Sequence, residues 1–337
     1  EDSLTAHMHV HDRYYDTAVK NKYYSRSYTL KGERKINVDE NISLGFGSDY
    51  NYNKGDFLIN GNWGSSARGH SDNIGLYSNL GVGIDETTAF SAHIRGDSHK
   101  YSQENLTYRL NLTKAFDSLT LGLTESTGIR HPDLYVLHGS NPSGSFKSMK
   151  TTKPETSLTR EINAKYNFSE NISLNSTVYR SSVSNVLNRS SSTGGYNEII
   201  DIDQEGIENN FIYRGDNQSF TLFNTLSKSR EGNGRPQLRR PEQQYGLKYS
   251  KKFISNILGP FDLNYDYRHI GKVEDWKNGS FRAKVDSSDI MNIKFSKDFK
   301  GSIWSLNILN LTDEHYQRPD TYNQEGRRLG LSFMYKY

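Results

Sequence analysis

Three histidines at alternate positions offer the clearest metal-binding chemistry in this sequence. His7, His9 and His11 are each separated by one residue, so in a β-strand they would share one face. Neutral imidazole is a good ligand for zinc, copper and nickel, and same-face neighbours lie ~6.6 Å apart along a strand, so two rings could share an ion. Because no carboxylate or thiolate completes a ligand set, a polar strand face that carries histidines is favoured, and no metal site is predicted.

A second group of chemically active side chains is acidic. Asp201 and Asp203 alternate with apolar residues and are flanked by Glu198 and Glu205. Calcium binds carboxylate oxygens, so a calcium site is one interpretation. On coordination grounds a wall that faces water, in a lumen or a loop, is the favoured alternative.

Aromatic and basic residues in the long polar segments could bind a large ligand. Exposed Tyr and Trp give amphipathic contact area at a low cost in conformational entropy, and a cationic side chain could meet a phosphate or carboxylate. The alternatives are an aromatic girdle at a membrane surface, which needs Tyr and Trp in any case, and a solvated loop edge. The candidate ligand-binding residues are Trp63, Arg130, His131, Tyr135 and Tyr196.

Several classes of function are not indicated. The sequence contains no G-x-S-x-G, no H-E-x-x-H and no phosphate-binding loop, so we predict no enzyme, no catalytic residue and no cofactor. The formal net charge is +3 without a long charged block, which argues against nucleic-acid binding. Cysteine is absent, which excludes disulfides and thiolate metal sites. No apolar run is long enough for a transmembrane helix.

The elements that would position these residues are β-strands. Apolar and polar residues alternate with a period of two in many segments, for example from Leu106 to Thr113 and from Leu329 to Tyr337. Only 33% of the residues are hydrophobic, yet there are 23 Tyr and 15 Phe. That composition is poor for a soluble core and too aromatic for a disordered chain. It fits a wall with a thin apolar band and aromatic girdles.

Short and long connections between these strands alternate along the chain. Tight polar turns occur at residues 38–41 and 116–118. Longer segments rich in Gly, Ser, Asn and Tyr lie at 51–72, 130–154, 188–196, 230–240, 269–280 and 313–325. One nominally short connection, 251–260, is predicted to be longer and partly apolar. Such alternation predicts an all-β fold, a transmembrane antiparallel up-and-down β-barrel with about 16 strands in this chain.

Charged residues on the polar faces support a wet interior. Glu161 with Lys165, and Asp262 with Asp266, would be costly to bury in a dry core but not against a water-filled lumen. A sheet edge in lipid would leave backbone groups unpaired, so the sheet must close. The alternative is a soluble β-repeat protein such as a propeller, which predicts shorter strands and no strict alternation of loops.

Motifs in the second half of the chain resemble one family. Asn310–Tyr316 reads N-L-T-D-E-H-Y, and a loop ending in Gly326–Arg327 precedes a last strand with a terminal aromatic residue. Further upstream, Gly139–Pro142 with Lys153–Ser157, Tyr196–Glu208, and Leu238–Pro241 follow in the same order as in that family. Together they resemble the C-terminal part of TonB-dependent outer-membrane receptors, although residues between Pro142 and Lys153 stretch the first of these motifs.

The resemblance implies energised uptake of a large, scarce nutrient across the bacterial outer membrane. In that family a plug domain fills a barrel of about 22 strands and couples it to the TonB complex. We therefore expect residues 1–337 to be the C-terminal barrel part of a longer receptor, in contact with outer-membrane lipid and without the plug and first strands. The run L-R-R-P-E-Q-Q at 238–244 is most similar to cobalamin transporters, which suggests cobalamin or a related metal chelate. The alternatives are a passive porin-like channel without a plug and a surface adhesin or enzyme barrel.

Overall fold

The computed structural model describes residues 1–16, 20–59, 66–102, 104–139, 153–189, 196–257, 259–277 and 281–335. The elements in chain order are β1 (Asp2–Asp16), β2 (Lys20–Asn37), β3 (Ile42–Ile59), β4 (Ala67–Asp85), β5 (Thr88–His99), β6 (Asn105–Ala115), β7 (Leu119–Arg130), α1 (Leu134–His138), β8 (Glu155–Ser169), β9 (Ile172–Arg189), β10 (Tyr196–Arg214), β11 (Gln218–Glu231), β12 (Gln243–Ser255), β13 (Gly259–Ile270), β14 (Val273–Lys277), β15 (Phe281–Val285), β16 (Ser288–Phe299), β17 (Ser302–Leu309) and β18 (Arg328–Tyr335). Across the ranges given, no helix has the length and apolar character needed to cross a membrane.

Sixteen of the strands form one sheet in chain order. Each of them pairs with the next, from β1 through β13 and on to β16, β17 and β18, while β14 and β15 form a separate hairpin. This is an up-and-down meander, and it confirms the predicted fold class and strand number. Tight turns alternate with longer connections. We call the end of the sheet with the longer connections the loop end and the other the turn end.

The two faces of the sheet differ in the way that the sequence period predicts. Leu30 pairs with Tyr50, and Tyr50 pairs with Ile74. Their exposed fractions are 51%, 42% and 52%, so this outward face presents large apolar side chains. The opposite, inward face is polar: Thr29 donates a hydrogen bond of 2.7 Å to the side chain of Asn51. In the described ranges the buried apolar residues are few, and the burial pattern is that of a lipid-facing wall.

Contacts between Cα atoms divide the chain into two compact units. The first comprises Glu1–Lys114, Gly122–Arg160 and Ser181–Asp203. It includes β1–β5, β6 up to Lys114, and α1. The second comprises Ala115–Leu121, Glu161–Arg180 and Gln204–Tyr337. It includes β11–β18.

Two expectations about the connections are corrected. The segments 51–72, 130–154 and 269–280 are not wholly loops: β3 extends to Ile59 and β4 starts at Ala67, α1 forms within the second segment, and β14 within the third. Polar composition marked these residues as loop, but a strand above the apolar band is also polar. Connection 251–260 is mostly strand and not a longer loop, since β12 ends at Ser255, β13 starts at Gly259 and these two residues are paired. Gly259 adopts a φ of +67°, which glycine allows without strain.

Candidate ligand-binding site

The described part of the connection after β7 contains a short helix, α1. The carboxylate of Asp133 caps α1 by accepting a 2.9 Å hydrogen bond from the backbone N–H of Val136. An acidic residue before an apolar run is a favoured helix start. Val136 and Leu137 are buried, at 5% and 0% exposed, so the helix packs against the protein instead of extending into solvent.

Two glycines on the inward face of the sheet make room for α1. Gly55 of β3 and Gly69 of β4 are paired directly across the strands. A Cβ at Gly69 would overlap the imidazole of His138, and one at Gly55 would lie 3.0 Å from the Leu134 side chain. The helix is therefore seated on a patch of sheet where side chains are missing.

Three of the predicted ligand-binding residues line one cavity at the loop end of the first unit. Arg130, His131 and Tyr135 border a volume of about 460 Å³. The remaining lining residues are Tyr23, Pro132, Asp133, Val136, Lys153, Glu155 and Leu187. The cavity thus combines two tyrosines, several cationic or imidazole groups and two carboxylates.

The charged groups of this cavity are partly paired. Arg130 contacts the carboxylate of Glu155 at 3.2 Å, and their side chains are 71% and 16% exposed. Glu155 also accepts a 3.3 Å hydrogen bond from the backbone N–H of Leu187. The carboxylate is therefore held by the protein, while most of the guanidinium surface faces solvent and can meet a ligand.

Behind the cavity, His131 belongs to a stacked histidine pair. The rings of His99 and His131 lie 4.4 Å apart with an interplanar angle of 12°. The hydroxyl of Ser102 lies between them, 3.0 Å from Nδ1 of His99 and 2.8 Å from Nδ1 of His131. Nε2 of His131 is buried and has no hydrogen-bond partner in the part of the chain that the structure describes.

Both histidines are held in the neutral form. They lie above the apolar band, which on β5 ends at Ile94, so they are outside the membrane-spanning segment. Burial lowers the pKa of His99 to about 4. A proton on the neighbouring His131 lowers this pKa further, whereas the negative charge of Asp72 raises it. Burial also lowers the pKa of His131, against the opposing effect of Asp97. At neutral pH the pair is uncharged.

For the other two predicted site residues the structure describes no side chain. Trp63 lies outside the described residues. Tyr196 is the first residue of β10, and its side chain is likewise outside the described part. Sequence reasoning did not connect Tyr23 or Glu155 with Arg130, His131 and Tyr135, because nothing in a strand pattern indicates which strand ends border the same cavity. Asp133 carried a signal that could have been used, namely an N-cap residue before an apolar run.

The histidines and acidic residues that opened the sequence analysis lie on strands. His7, His9 and His11 share one face of β1, paired with Thr29, Ser27 and Ser25. The carboxylate of Asp203 accepts a 2.6 Å hydrogen bond from Ser182. Among the residues with described positions, no group of three or more His, Cys, Asp or Glu side chains is arranged to hold a metal ion.

In the second unit, a buried carboxylate ties three loop-end connections together. Asp275 of β14 is 1% exposed. Its side chain accepts hydrogen bonds from Arg239 at 2.8 Å, from the backbone of Trp276 at 2.8 Å and from the backbone of Asp320 at 2.9 Å. Burial alone would raise the pKa of Asp275, but these donors outweigh it and the pKa lies below its usual value.

The inward face of the second unit is polar, as predicted for a lumen wall. A cavity of about 270 Å³ there is bordered by Lys248 and Arg268, together with Asn and Thr side chains. The guanidinium of Arg268 lies 6.0 Å from the ring of Phe223. Charged and amide groups at this depth need water or a polar partner.

The meander topology, with one apolar and one polar face, is typical of the wall of an outer-membrane β-barrel. Residues 3–311 match the family described as TonB dependent receptor-like, beta-barrel, and the chain belongs to that family. This places the protein in the bacterial outer membrane, and the family is one of transport receptors rather than enzymes.

Three solved structures illustrate the similarity. The siderophore receptor PirA from Acinetobacter baumannii has a TM-score of 0.75 and 15% identity, covering 94% of this chain and 55% of that one. The ferripyoverdine receptor of the outer membrane of Pseudomonas aeruginosa has a TM-score of 0.74 and 12% identity, covering 98% and 53%. The ferric yersiniabactin uptake receptor FyuA from Yersinia pestis has a TM-score of 0.72 and 11% identity, covering 98% and 56%.

At these identities the likeness shows the fold alone. The chain spans about half the length of these receptors. No curated protein sequence matches the chain significantly.

Proposed function

We propose that this chain is the ligand-binding barrel part of an outer-membrane receptor for a large metal chelate. The observation that carries the proposal is the cavity at the loop end, where Arg130, His131 and Tyr135 converge. Its volume of about 460 Å³ is in the range of sites that bind small organic ligands. The names of the three similar receptors, which refer to siderophores or their ferric complexes, also support this class of ligand.

The chemistry of the cavity suits a chelate that exposes anionic oxygen atoms and flat rings. The partly free guanidinium of Arg130 can form charge-assisted hydrogen bonds with such oxygens. Tyr23 and Tyr135 offer aromatic faces with a polar tip. Nε2 of His131 could donate or accept one further hydrogen bond, depending on its tautomer.

Cobalamin is the second candidate ligand for this receptor. It is itself a large metal chelate, and the similarity of residues 238–244 to cobalamin transporters is what supports it. Because the cavity chemistry suits both a ferric chelate and cobalamin, the binding measurement includes both.

A binding titration tests the site. The full chain, folded in detergent, would be titrated with ferripyoverdine, ferric yersiniabactin and cobalamin, with tryptophan fluorescence as the signal. We expect one of them to bind and Arg130→Gln to weaken it by about tenfold or more, since a lost charge-assisted hydrogen bond costs on the order of 1.5–3 kcal/mol. Tyr135→Ala should also weaken binding, because it removes the contact area of an aromatic ring.

Arg160→Gln is the matched control, because Arg160 is 67% exposed and pairs with Glu125 on the outward face, away from the cavity. Unchanged affinity in both cavity variants would refute the assignment of the site. If none of the three probes bound and the chain gave a large, steady, ligand-independent current in planar bilayers, the porin-like alternative would replace the receptor.

We further infer that residues 1–337 belong to a longer receptor with a plug domain that couples to the TonB complex. The support is that the three similar receptors are nearly twice as long as the part matched by this chain. The genomic sequence upstream of the codon for Glu1 tests this inference: a plug with a signal peptide is expected there. An upstream stop codon followed directly by a signal peptide and this barrel would overturn it.

A further inference from the structure

A row of basic side chains crosses the outward face of the first unit. Arg26 of β2 pairs directly with Lys54 of β3, and Lys54 pairs with His70 of β4. The row is extended by Lys100, whose ammonium lies 2.6 Å from Nε2 of His70. Neighbouring strands are ~4.8 Å apart, so the row is compact.

This row lies just above the apolar band. Two residues further toward the turn end on the same face, Tyr28 pairs with Tyr52, with ring centroids 6.3 Å apart. The band of Leu30, Tyr50 and Ile74 follows below. Tyrosines of this kind sit at the membrane–water interface, and two residues of strand add ~7 Å. The cations are therefore at the level of the lipid headgroups.

The charges in the row are not compensated by the protein. Like charges directly opposite on paired strands are destabilising, yet in the described part of the chain neither Arg26 nor Lys54 forms an ion pair with a carboxylate. Arg26 instead donates a hydrogen bond from Nε to the hydroxyl of Tyr24, and its guanidinium carbon lies 5.0 Å from the centre of that ring. The nearby carboxylate of Asp56 is bound by Arg68 at 2.6 Å.

Two other carboxylates share this face without neutralising it. Asp12 pairs with Tyr24, and Asp72 pairs with Tyr52, so each flanks the row. The cationic side chains on the same face are Arg26, Lys54, Lys100 and Lys22, the last of which lies near the loop end of β2. The patch thus carries a net positive charge at headgroup level, and an external anion would relieve the repulsion between Arg26 and Lys54.

We propose that the row formed by Arg26, Lys54, His70 and Lys100 binds the phosphate groups of a phosphorylated glycolipid in the outer leaflet. Clusters of Lys and Arg at a membrane surface recognise anionic headgroups, and phosphate accepts several charge-assisted hydrogen bonds. The adjacent tyrosines and the exposed apolar band would contact the acyl chains of the same molecule. The proposal requires only the membrane location of the barrel and is independent of the imported ligand.

Native mass spectrometry of the full chain in a non-ionic detergent tests the proposal. The probes are a diphosphorylated diglucosamine lipid, the same lipid without phosphates, and inorganic phosphate. We expect the phosphorylated lipid to be retained and the double variant Arg26→Gln/Lys54→Gln to lower its affinity by about tenfold or more, since each cation near a membrane surface adds several-fold to the affinity for an anionic headgroup.

Arg34→Gln is the matched control, because Arg34 lies on the same strand and face as Arg26 but near the turn end, where it contacts Asp2 at 3.3 Å. The Arg34→Gln variant should bind the phosphorylated lipid with the affinity of the native protein. Circular dichroism should show that all variants fold. Equal retention of the lipid without phosphates, or wild-type affinity in the double variant, would overturn the proposal. If inorganic phosphate displaced the lipid completely, the row would be a site for a free anion, and this result would also overturn the proposal.

Discussion

At the scale of single residues, the stacked pair of His99 and His131 is the feature that most constrains the behaviour of the candidate site. Ser102 joins the two rings through its hydroxyl, and the connection that starts at His131 leads directly into the cavity. Because both imidazoles are neutral when folded, acid conditions charge them mainly in the unfolded chain. The site is therefore coupled to pH through its supporting residues.

We expect the folded protein to lose stability as the pH falls from 7.5 to 5. The pKa of His99 is lowered to about 4, so between that value and the ordinary pKa near 6.5 the unfolded state binds more protons and is favoured. For His99 alone the loss at pH 5 is about 2 kcal/mol. Urea unfolding in detergent at the two pH values measures it.

His99→Gln should flatten this pH dependence, whereas His7→Gln should not, since His7 is exposed on β1. An unchanged pH dependence in His99→Gln would show that the stacked pair does not account for it.

At the scale of elements, α1 is positioned by the sheet beneath it. The helix has only five residues, too few to be stable alone. Its capping by Asp133 and its packing on the glycine pair Gly55 and Gly69 hold it, and through it Tyr135, at the border of the cavity. In the second unit a comparable role falls to Asp275, which joins connections that are distant in sequence.

A side chain at Gly69 should displace α1 and impair the cavity. Gly69→Val would place methyl groups where the ring of His138 lies, so the helix must shift. We expect a loss of chelate affinity of at least about tenfold, comparable to an overpacking cost of 1–3 kcal/mol, while the barrel still folds. Hydrogen exchange of residues 133–139 should increase.

Gly96→Ala is the control for this variant, because nothing lies within 4 Å of a Cβ at Gly96. If Gly69→Val bound the chelate with native affinity and protected residues 133–139 normally, the packing of α1 on the sheet would not control the site.

At the scale of the whole molecule, the distribution of apolar side chains determines the environment that the protein needs. Large apolar residues of the described part are mainly exposed, including Leu76 at 63%, Leu106 at 66% and Leu331 at 85%. Contiguous exposed apolar surface on this scale is not tolerated by soluble monomers. In a bilayer the same surface contacts acyl chains.

The protein should be monodisperse in detergent micelles and aggregate when the detergent is removed. Size-exclusion chromatography with and without detergent measures this directly, and circular dichroism reports whether strands persist. A folded monomer in detergent-free buffer would mean that these leucines and tyrosines are covered by other parts of the chain, which would contradict the membrane fold.

The sequence by itself determined the class of fold. Alternation with a period of two fixes which side chains share a face, and it predicted the exposed apolar face around Leu329 and Leu331 because the period is a local property of extended backbone. The alternation of short and long connections predicted the meander, and the motifs around Asn310 and Leu238 indicated the family.

Only the tertiary structure decided where the strands end and which residues meet. The polar composition of residues 51–72 predicted a loop. Composition shows that a segment is polar but not whether its backbone is hydrogen-bonded, and a strand that extends into water is polar on both faces. Likewise Tyr23 and Glu155 border one cavity with Arg130 and Tyr135, although β2, which carries Tyr23, is not a neighbour of β7 or β8 in the sheet. Which strand ends border one cavity depends on register across the sheet, which is set by the sum of many backbone hydrogen bonds and not by any local pattern.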